Sequence, residues 1–169
     1  MYGSAGIGTI NHLLGEMLNK AAGIDLVHVP YKAAASAATD VMGGQVPLAV
    51  LSASASLGLV QTGKLKVLGV ANEHRLAALP DTPTIGETLK GFGATPWYGI
   101  LAPASTPKAI VAQLHAAVQQ VLDSKDVQDK LAAQGCDVLK GNPSQFSALI
   151  RDDLPKWEKI VSESGASLD

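Results

Sequence analysis

Cysteine is nearly absent from this sequence of 169 residues, which contains only Cys136. A single thiol cannot form a disulfide within the chain or a thiolate metal cluster. Aromatic residues make up 4% of the chain and charged residues 17%, with a net charge of −2. A sequence of this composition lacks the basic stripe of nucleic-acid-binding proteins. Nucleic acid is therefore not an expected partner.

Long apolar runs and catalytic motifs are missing as well. No run approaches the ~20 residues that span a bilayer, and no charged segment followed by an apolar one marks a secretory leader. The four histidines do not have the spacing of zinc ligands, so we interpret each as a structural or surface residue. The serines of LSASAS lack the surroundings of a nucleophile. We therefore predict no metal, no cofactor and no catalytic residue.

Apolar residues, by contrast, make up 47% of the chain, which is enough for a sizeable core. In the first part, apolar residues at helical spacing alternate with short apolar runs. The predicted helices cover 9–22, 34–42 and 57–62, and the predicted strands cover 26–29, 46–51 and 64–70. This alternation predicts an α/β fold in which helices flank a mainly parallel sheet.

The pattern changes after Asn72, where prolines precede a mainly helical region. Helices are predicted near 85–89 and over 107–123, 124–134 and 143–165, and strands over 97–102 and 136–139. The pattern of the second half therefore predicts a helical segment attached to the α/β part.

A glycine-rich turn, MYGSAGIGTINH, precedes the first helix. Amide groups at the front of a helix have no intrahelical acceptor and lie at the positive end of its dipole, so they can hold a carboxylate or phosphate. Ser4 and Thr9 could add hydroxyl donors. The glycine spacing matches neither the dinucleotide fingerprint nor a Walker A loop. A tight turn with close packing explains the glycines equally well, so both interpretations stay open.

Two further polar loops follow predicted strands. Tyr31 and Lys32 come after one strand, and Ser52 comes after the next. Because ligands bind where parallel strands end, we expect the loops at 3–9, 30–33 and 51–55 to meet at one rim. The rim offers amides, hydroxyls and one lysine but no convincing nucleophile or base. Such a set of groups predicts binding of a small anion without chemistry.

Several motifs in this order and spacing resemble those of the Bug-type solute receptors, the extracytoplasmic binding proteins of tripartite tricarboxylate transporters. They are YGSAGIGTINH, VHVPYK, GGQV, TGKLKVLGVAN, ALPDTPTIGE and WYGILAPASTPK, and they span essentially the whole chain. The resemblance implies a periplasmic-binding-protein type II architecture, in which two α/β lobes close on an organic acid. Residues 1–96 would form the second lobe. Residues 97–169 would form a crossover strand and a helical segment that packs partly on the first lobe.

The resemblance also implies the ligand-binding residues, a periplasmic location and membrane transporter components as partners. The residues are Ser4, Ala5, Gly6, Gly8, Thr9, Tyr31, Ser52 and Ala53. Family members usually carry aspartates where this chain has Pro47 and Leu51. This difference favours plain carboxylic acids over amino acids as ligands.

Receptors of this family are longer, so we expect the chain to be truncated and to lack the signal peptide and most of the first lobe. Its terminal helices should then expose apolar surface, which favours association, so we expect a homodimer. A cytoplasmic location is expected instead if Met1 is the true start.

Two other functions stay open. The chain could be a vestigial lobe that acts only as an interaction module. A Rossmann-type enzyme is disfavoured because the glycine spacing is wrong, although Asp25 lies near the expected distance.

Overall fold

The structure is a computed structural model and describes residues 1–165. The elements are β1 (Tyr2–Ser4), α1 (Ile10–Ala22), β2 (His28–Pro30), α2 (Ala34–Met42), α3 (Ala53–Gln61), α4 (Ile85–Thr88), α5 (Lys108–Asp123), α6 (Lys125–Ala133) and α7 (Pro143–Ser164). Every helix of the structure corresponds to a predicted one, although α3 begins earlier than expected. The proposed boundary between residues 96 and 97 stays a prediction, and the last residues of the 97–169 segment lie outside the described residues.

β1 is the centre of the sheet. It runs parallel to β2, and Gly3 lies opposite Val29. On its other side, Gly3 forms a parallel bridge with Ala49. The Gly3 amide donates to the Leu48 carbonyl, and the Val50 amide donates to the Gly3 carbonyl, both at 2.9 Å. The predicted α/β fold with a parallel sheet is therefore confirmed.

The strands are shorter than the sequence predicted. The 64–70 segment contributes only a bridge between Val70 and Thr84, and 97–102 and 136–139 form no strand within residues 1–165. A strand needs neighbouring backbone for its hydrogen bonds and cover for its faces. The described residues supply neither, and Leu68 and Ile100 are 73% and 76% exposed. Conversely, β1, which the sequence indicated as part of a loop, is a strand.

β1 is buried because its neighbours leave room for it. Tyr2 and Ser4 are fully buried. The Tyr2 ring occupies the space beside Gly15 of α1, where a Cβ atom would overlap it. The Tyr2 hydroxyl donates to Glu16 Oε1 at 2.7 Å, and burial together with this bond raises the pKa of Tyr2 well above its usual value. α1 is thereby fixed against the central strand.

The C-terminal segment packs on the first half mainly through α7, which lies against α1. The ε-ammonium group of Lys20 pairs with Glu163 at 2.9 Å. The Trp97 indole N–H donates to Asp153 at 2.6 Å. In the described part of the chain, α5 and α6 contribute no buried residue, and Leu114 of α5 is 51% exposed. The expected exposure of apolar surface on this segment is therefore present.

We predict that Gly15→Ala destabilises the protein, because the new methyl group meets the buried Tyr2 ring. Overpacking of this kind costs about 1–3 kcal/mol, more than the gain in helix propensity from replacing glycine. Gly58→Ala is the matched control, since a Cβ atom there meets nothing within 4 Å, and it should stabilise α3 by up to about 1 kcal/mol. Urea unfolding measures both. An unchanged or raised midpoint for Gly15→Ala would contradict the packing described here.

Candidate functional site

The parallel register brings the ends of three chain segments to one edge of the sheet, because residues after Ser4, Pro30 and Val50 leave it in the same direction. The first two loops touch. The Tyr31 amide donates to the Ser4 carbonyl at 3.1 Å, and a Cβ atom on Gly6 would lie 3.2 Å from the Tyr31 carbonyl oxygen. The third segment starts beside Gly3 and leads to Ser52, the N-cap of α3. Two of the three loops expected at the rim therefore meet, and the third leaves from the same edge of the sheet.

The amides of both loop glycines are turned toward the protein. Gly6 N–H donates to Ser4 Oγ at 3.1 Å, and Gly8 N–H donates to His12 Nδ1 at 3.2 Å. Gly6 has a φ of +126°, which a side chain would strain. The sequence analysis expects these two amides to face a ligand, whereas in the structure each donates to an acceptor of the protein. Both glycines shape the loop, and their contact with a ligand stays a prediction.

Other amides of the same stretch are unoccupied. Those of Ala5, Ile7, Ile10 and Asn11 donate to no acceptor within residues 1–165. Ile10 and Asn11 lie in the first turn of α1, where the helix leaves N–H groups without intrahelical partners. Ile7 is 50% exposed. An anion at this loop would therefore meet these amides at the positive end of the α1 dipole.

The two hydroxyl groups expected at the loop are both engaged. Ser4 is fully buried, and its Oγ lies 2.6 Å from His28 Nε2. Thr9 is the N-cap of α1. Its hydroxyl donates to the Gly6 carbonyl at 2.7 Å and accepts the His12 N–H at 3.4 Å. Ser4 and Thr9 hold the loop from within, and Ser4 does not reach the surface.

The remaining predicted residues lie around the loop. The Tyr31 ring packs beside Gly3, and its hydroxyl donates to Asp40 at 2.8 Å, which raises the pKa of Tyr31. Ser52 is half-buried, and its hydroxyl lies 3.2 Å from that of Ser54. Ala53 faces Gly135 of the C-terminal segment, where a Cβ atom would lie only 2.7 Å away. Ser52 is thus at the rim, whereas Ala53 packs against another part of the chain.

Two histidines behind the loop were not predicted as part of the site. The rings of His12 and His28 stack with centroids 4.0 Å apart and an interplanar angle of 17°, and the His28 ring lies 5.0 Å from that of Tyr2. His12 is 7% exposed. The signal in the sequence is that a histidine in the first turn of α1 follows Gly8 by four residues. The stack itself joins residues that are distant in the chain.

Burial lowers the pKa of His28 below its usual value, the proximity of His12 lowers it further, and Glu16 opposes both effects. The folded state therefore favours neutral His28. The unfolded state takes up a proton more readily once the pH falls below the ordinary histidine pKa of about 6.5. The stability that His28 contributes is present above that pH and is lost as the pH falls toward its folded-state pKa.

We predict that the urea midpoint falls between pH 7 and pH 5, and that His28→Gln makes this fall smaller. Glutamine offers a polar atom to Ser4 Oγ but does not titrate. His74→Gln, at an exposed position, is the control, and its urea midpoint should fall as much as that of the wild type. An equal fall in His28→Gln and in the wild type would contradict this assignment.

Within residues 1–165, no three His, Cys, Asp or Glu side chains are grouped so that they could hold a metal ion. No helix of this part combines the length and the apolar character that crossing a bilayer requires.

Comparison with known proteins decides the family. A family profile described as "Tripartite tricarboxylate transporter family receptor" matches residues 1–166. The chain belongs to this family. The resemblance seen in the motifs is therefore confirmed, as is the prediction that the chain is not an enzyme, since the family is one of solute receptors.

Individual relatives agree with this membership. The chain is 31% identical to Protein BugT of Bordetella pertussis, over 96% of the chain and 50% of BugT. It is 30% identical to the UPF0065 protein in the clcB-clcD intergenic region of Pseudomonas knackmussii, over 93% of the chain and 94% of that protein. The chain spans about half the length of most curated relatives it matches.

Solved structures share the fold. Rpa4515 of R. palustris with adipate superposes with a TM-score of 0.86 at 28% identity, over 98% of this chain and 56% of Rpa4515. MatC of Rhodopseudomonas palustris with bound malate superposes with a TM-score of 0.80 at 29% identity, over 95% of this chain and 56% of MatC.

Proposed function

We propose that the chain provides one wall of a carboxylate-binding site in a solute receptor of a tripartite tricarboxylate transporter. The observation that supports it is that the amides of Ala5, Ile7, Ile10 and Asn11, at the front of α1, donate to no acceptor within residues 1–165. Relatives of the same fold hold adipate and malate. Both ligands are small carboxylates, the class that helix-terminal amides favour.

The proposed mechanism is binding without a chemical step. Each hydrogen bond from an amide to a carboxylate contributes about 1.5–3 kcal/mol when water is excluded. Because the chain spans about half of most curated relatives, we propose that the opposite wall comes from a second lobe that closes over the ligand. In this proposal the receptor acts in the periplasm and delivers its ligand to membrane transporter components.

The proposed ligand class rests on two positions at which the chain lacks an acidic group. Pro47 and Leu51 carry no acidic group that would receive an amine. We therefore propose plain carboxylic acids, with Ser52 as a hydroxyl at the far side of the rim.

We predict that calorimetry of the 169-residue chain detects adipate or malate with a dissociation constant of about 1 mM or weaker, equivalent to about −4 kcal/mol. Neutral adipamide is the control: it has the length of adipate but no charge, and should give no heat. Absence of heat from mono-, di- and tricarboxylates with a folded protein would favour the interaction-module alternative.

We also propose that the chain forms a homodimer through the apolar surface of the C-terminal segment. Tyr98, Ile100 and Leu101 lie close together in the sequence and are 86%, 76% and 72% exposed. Exposed apolar surface of this kind marks association sites.

We predict a dimer by light scattering, which Ile100→Lys converts to a monomer without loss of secondary structure. A wild type that stays monomeric at millimolar concentration would contradict this proposal. That result would not bear on the proposed carboxylate site.

A further inference from the structure

We infer that His12 is a positioning residue for the carboxylate loop, defined as residues 5–9. Its Nδ1 atom accepts the Gly8 N–H, and this bond sets the loop conformation that the ligand meets. The inference rests on the proposed function, because it assigns to His12 an effect on carboxylate affinity.

The geometry makes His12 an acceptor. Gly8 N and His12 Nδ1 are 3.2 Å apart, and a backbone N–H can only donate. Nδ1 must therefore carry the lone pair, and the hydrogen of the neutral ring lies on Nε2. Nε2 faces Glu16 Oε1 at 3.8 Å, and this carboxylate favours a hydrogen on that side. The contacts of Nδ1 and of Nε2 thus indicate the same tautomer.

The ring is also held in place. It is 7% exposed and stacks on His28. His28 is fixed in turn by the 2.6 Å contact of its Nε2 with Ser4 Oγ, and Ser4 Oγ accepts the Gly6 N–H. The two glycine amides therefore donate to members of one packed cluster, which consists of Ser4, His12 and His28.

The hydrogen bond between Gly8 and His12 affects binding because it restrains the backbone of the loop. Gly8 has a φ of +72°, and a glycine can leave this conformation at little steric cost. Its hydrogen bond to His12 fixes the peptide plane that joins Ile7 to Gly8, and so restrains the backbone between the amides of Ile7 and Ile10. Without the acceptor, the ligand would have to order the loop itself, which costs affinity.

A packing role and a positioning role can be separated because the ring and the acceptor can be removed independently. His12→Phe keeps a flat ring on His28 but has no acceptor. His12→Asn keeps an oxygen near the place of Nδ1 but loses the ring. His12→Phe should therefore be the more stable variant, whereas His12→Asn should keep the better ordered loop.

The experiment compares the wild type, His12→Phe and His12→Asn by three measurements: urea unfolding, hydrogen exchange of the Gly8 amide, and an amide-resolved NMR titration with adipate, which follows affinities in the millimolar range. We expect His12→Phe to be the more stable variant, with Gly8 exchange about tenfold faster and adipate affinity about tenfold weaker than in the wild type. His12→Asn should be less stable, with exchange and affinity near the wild-type values.

Three results would overturn the inference. One is wild-type exchange and affinity in His12→Phe. Another is an affinity that follows stability across the variants, which indicates packing alone. The third is a wild type that binds no carboxylate: the proposed function then fails, and the inferred effect on affinity fails with it. In the first two cases the wild type still binds, so the proposed function stands.

Discussion

The burial of one short strand is the constraint on which the site depends. β1 lies between β2 and the backbone around Ala49, with hydrogen bonds on both sides. Gly3 permits this position, because a Cβ atom there would lie 3.1 Å from the Tyr31 ring and 3.3 Å from Ala37. Since all three segments run parallel, the loops that follow them leave from one edge. The position of the site thus follows from the register of the three buried residues of β1.

The loop itself has an inner and an outer set of amides. The inner set, at Gly6 and Gly8, is satisfied by Ser4 and His12. The outer set has no protein acceptor within residues 1–165. Buried backbone groups almost always find partners, so the inner bonds stabilise the turn. Of the outer set, Ala5, Ile7 and Ile10 belong to residues with exposed surface, whereas Asn11 is only 9% exposed. A rigid, partly satisfied loop loses little entropy when it binds an anion.

The helices could be predicted from the sequence because their apolar periodicity and caps are local. Thr9 and Gly23 begin and end α1 where the sequence indicated. The strands at 64–70 and 97–102 could not be predicted reliably, because apolar composition does not say whether a neighbouring strand is present. β1 was missed because YGS has the composition of a loop. The loop and the rim were anticipated, but the direction of the glycine amides depends on the His12–His28 stack, which joins distant parts of the chain.

The central claim is that unoccupied amides at the front of α1 meet a carboxylate. The most direct test is an amide-resolved NMR titration of the ¹⁵N-labelled chain with adipate. We expect saturable shifts at Ile7, Ile10 and Asn11, with much smaller shifts at Gly6 and Gly8, whose N–H groups already have acceptors. Saturable shifts confined to residues away from this loop, or none at any adipate concentration with a folded protein, would contradict it.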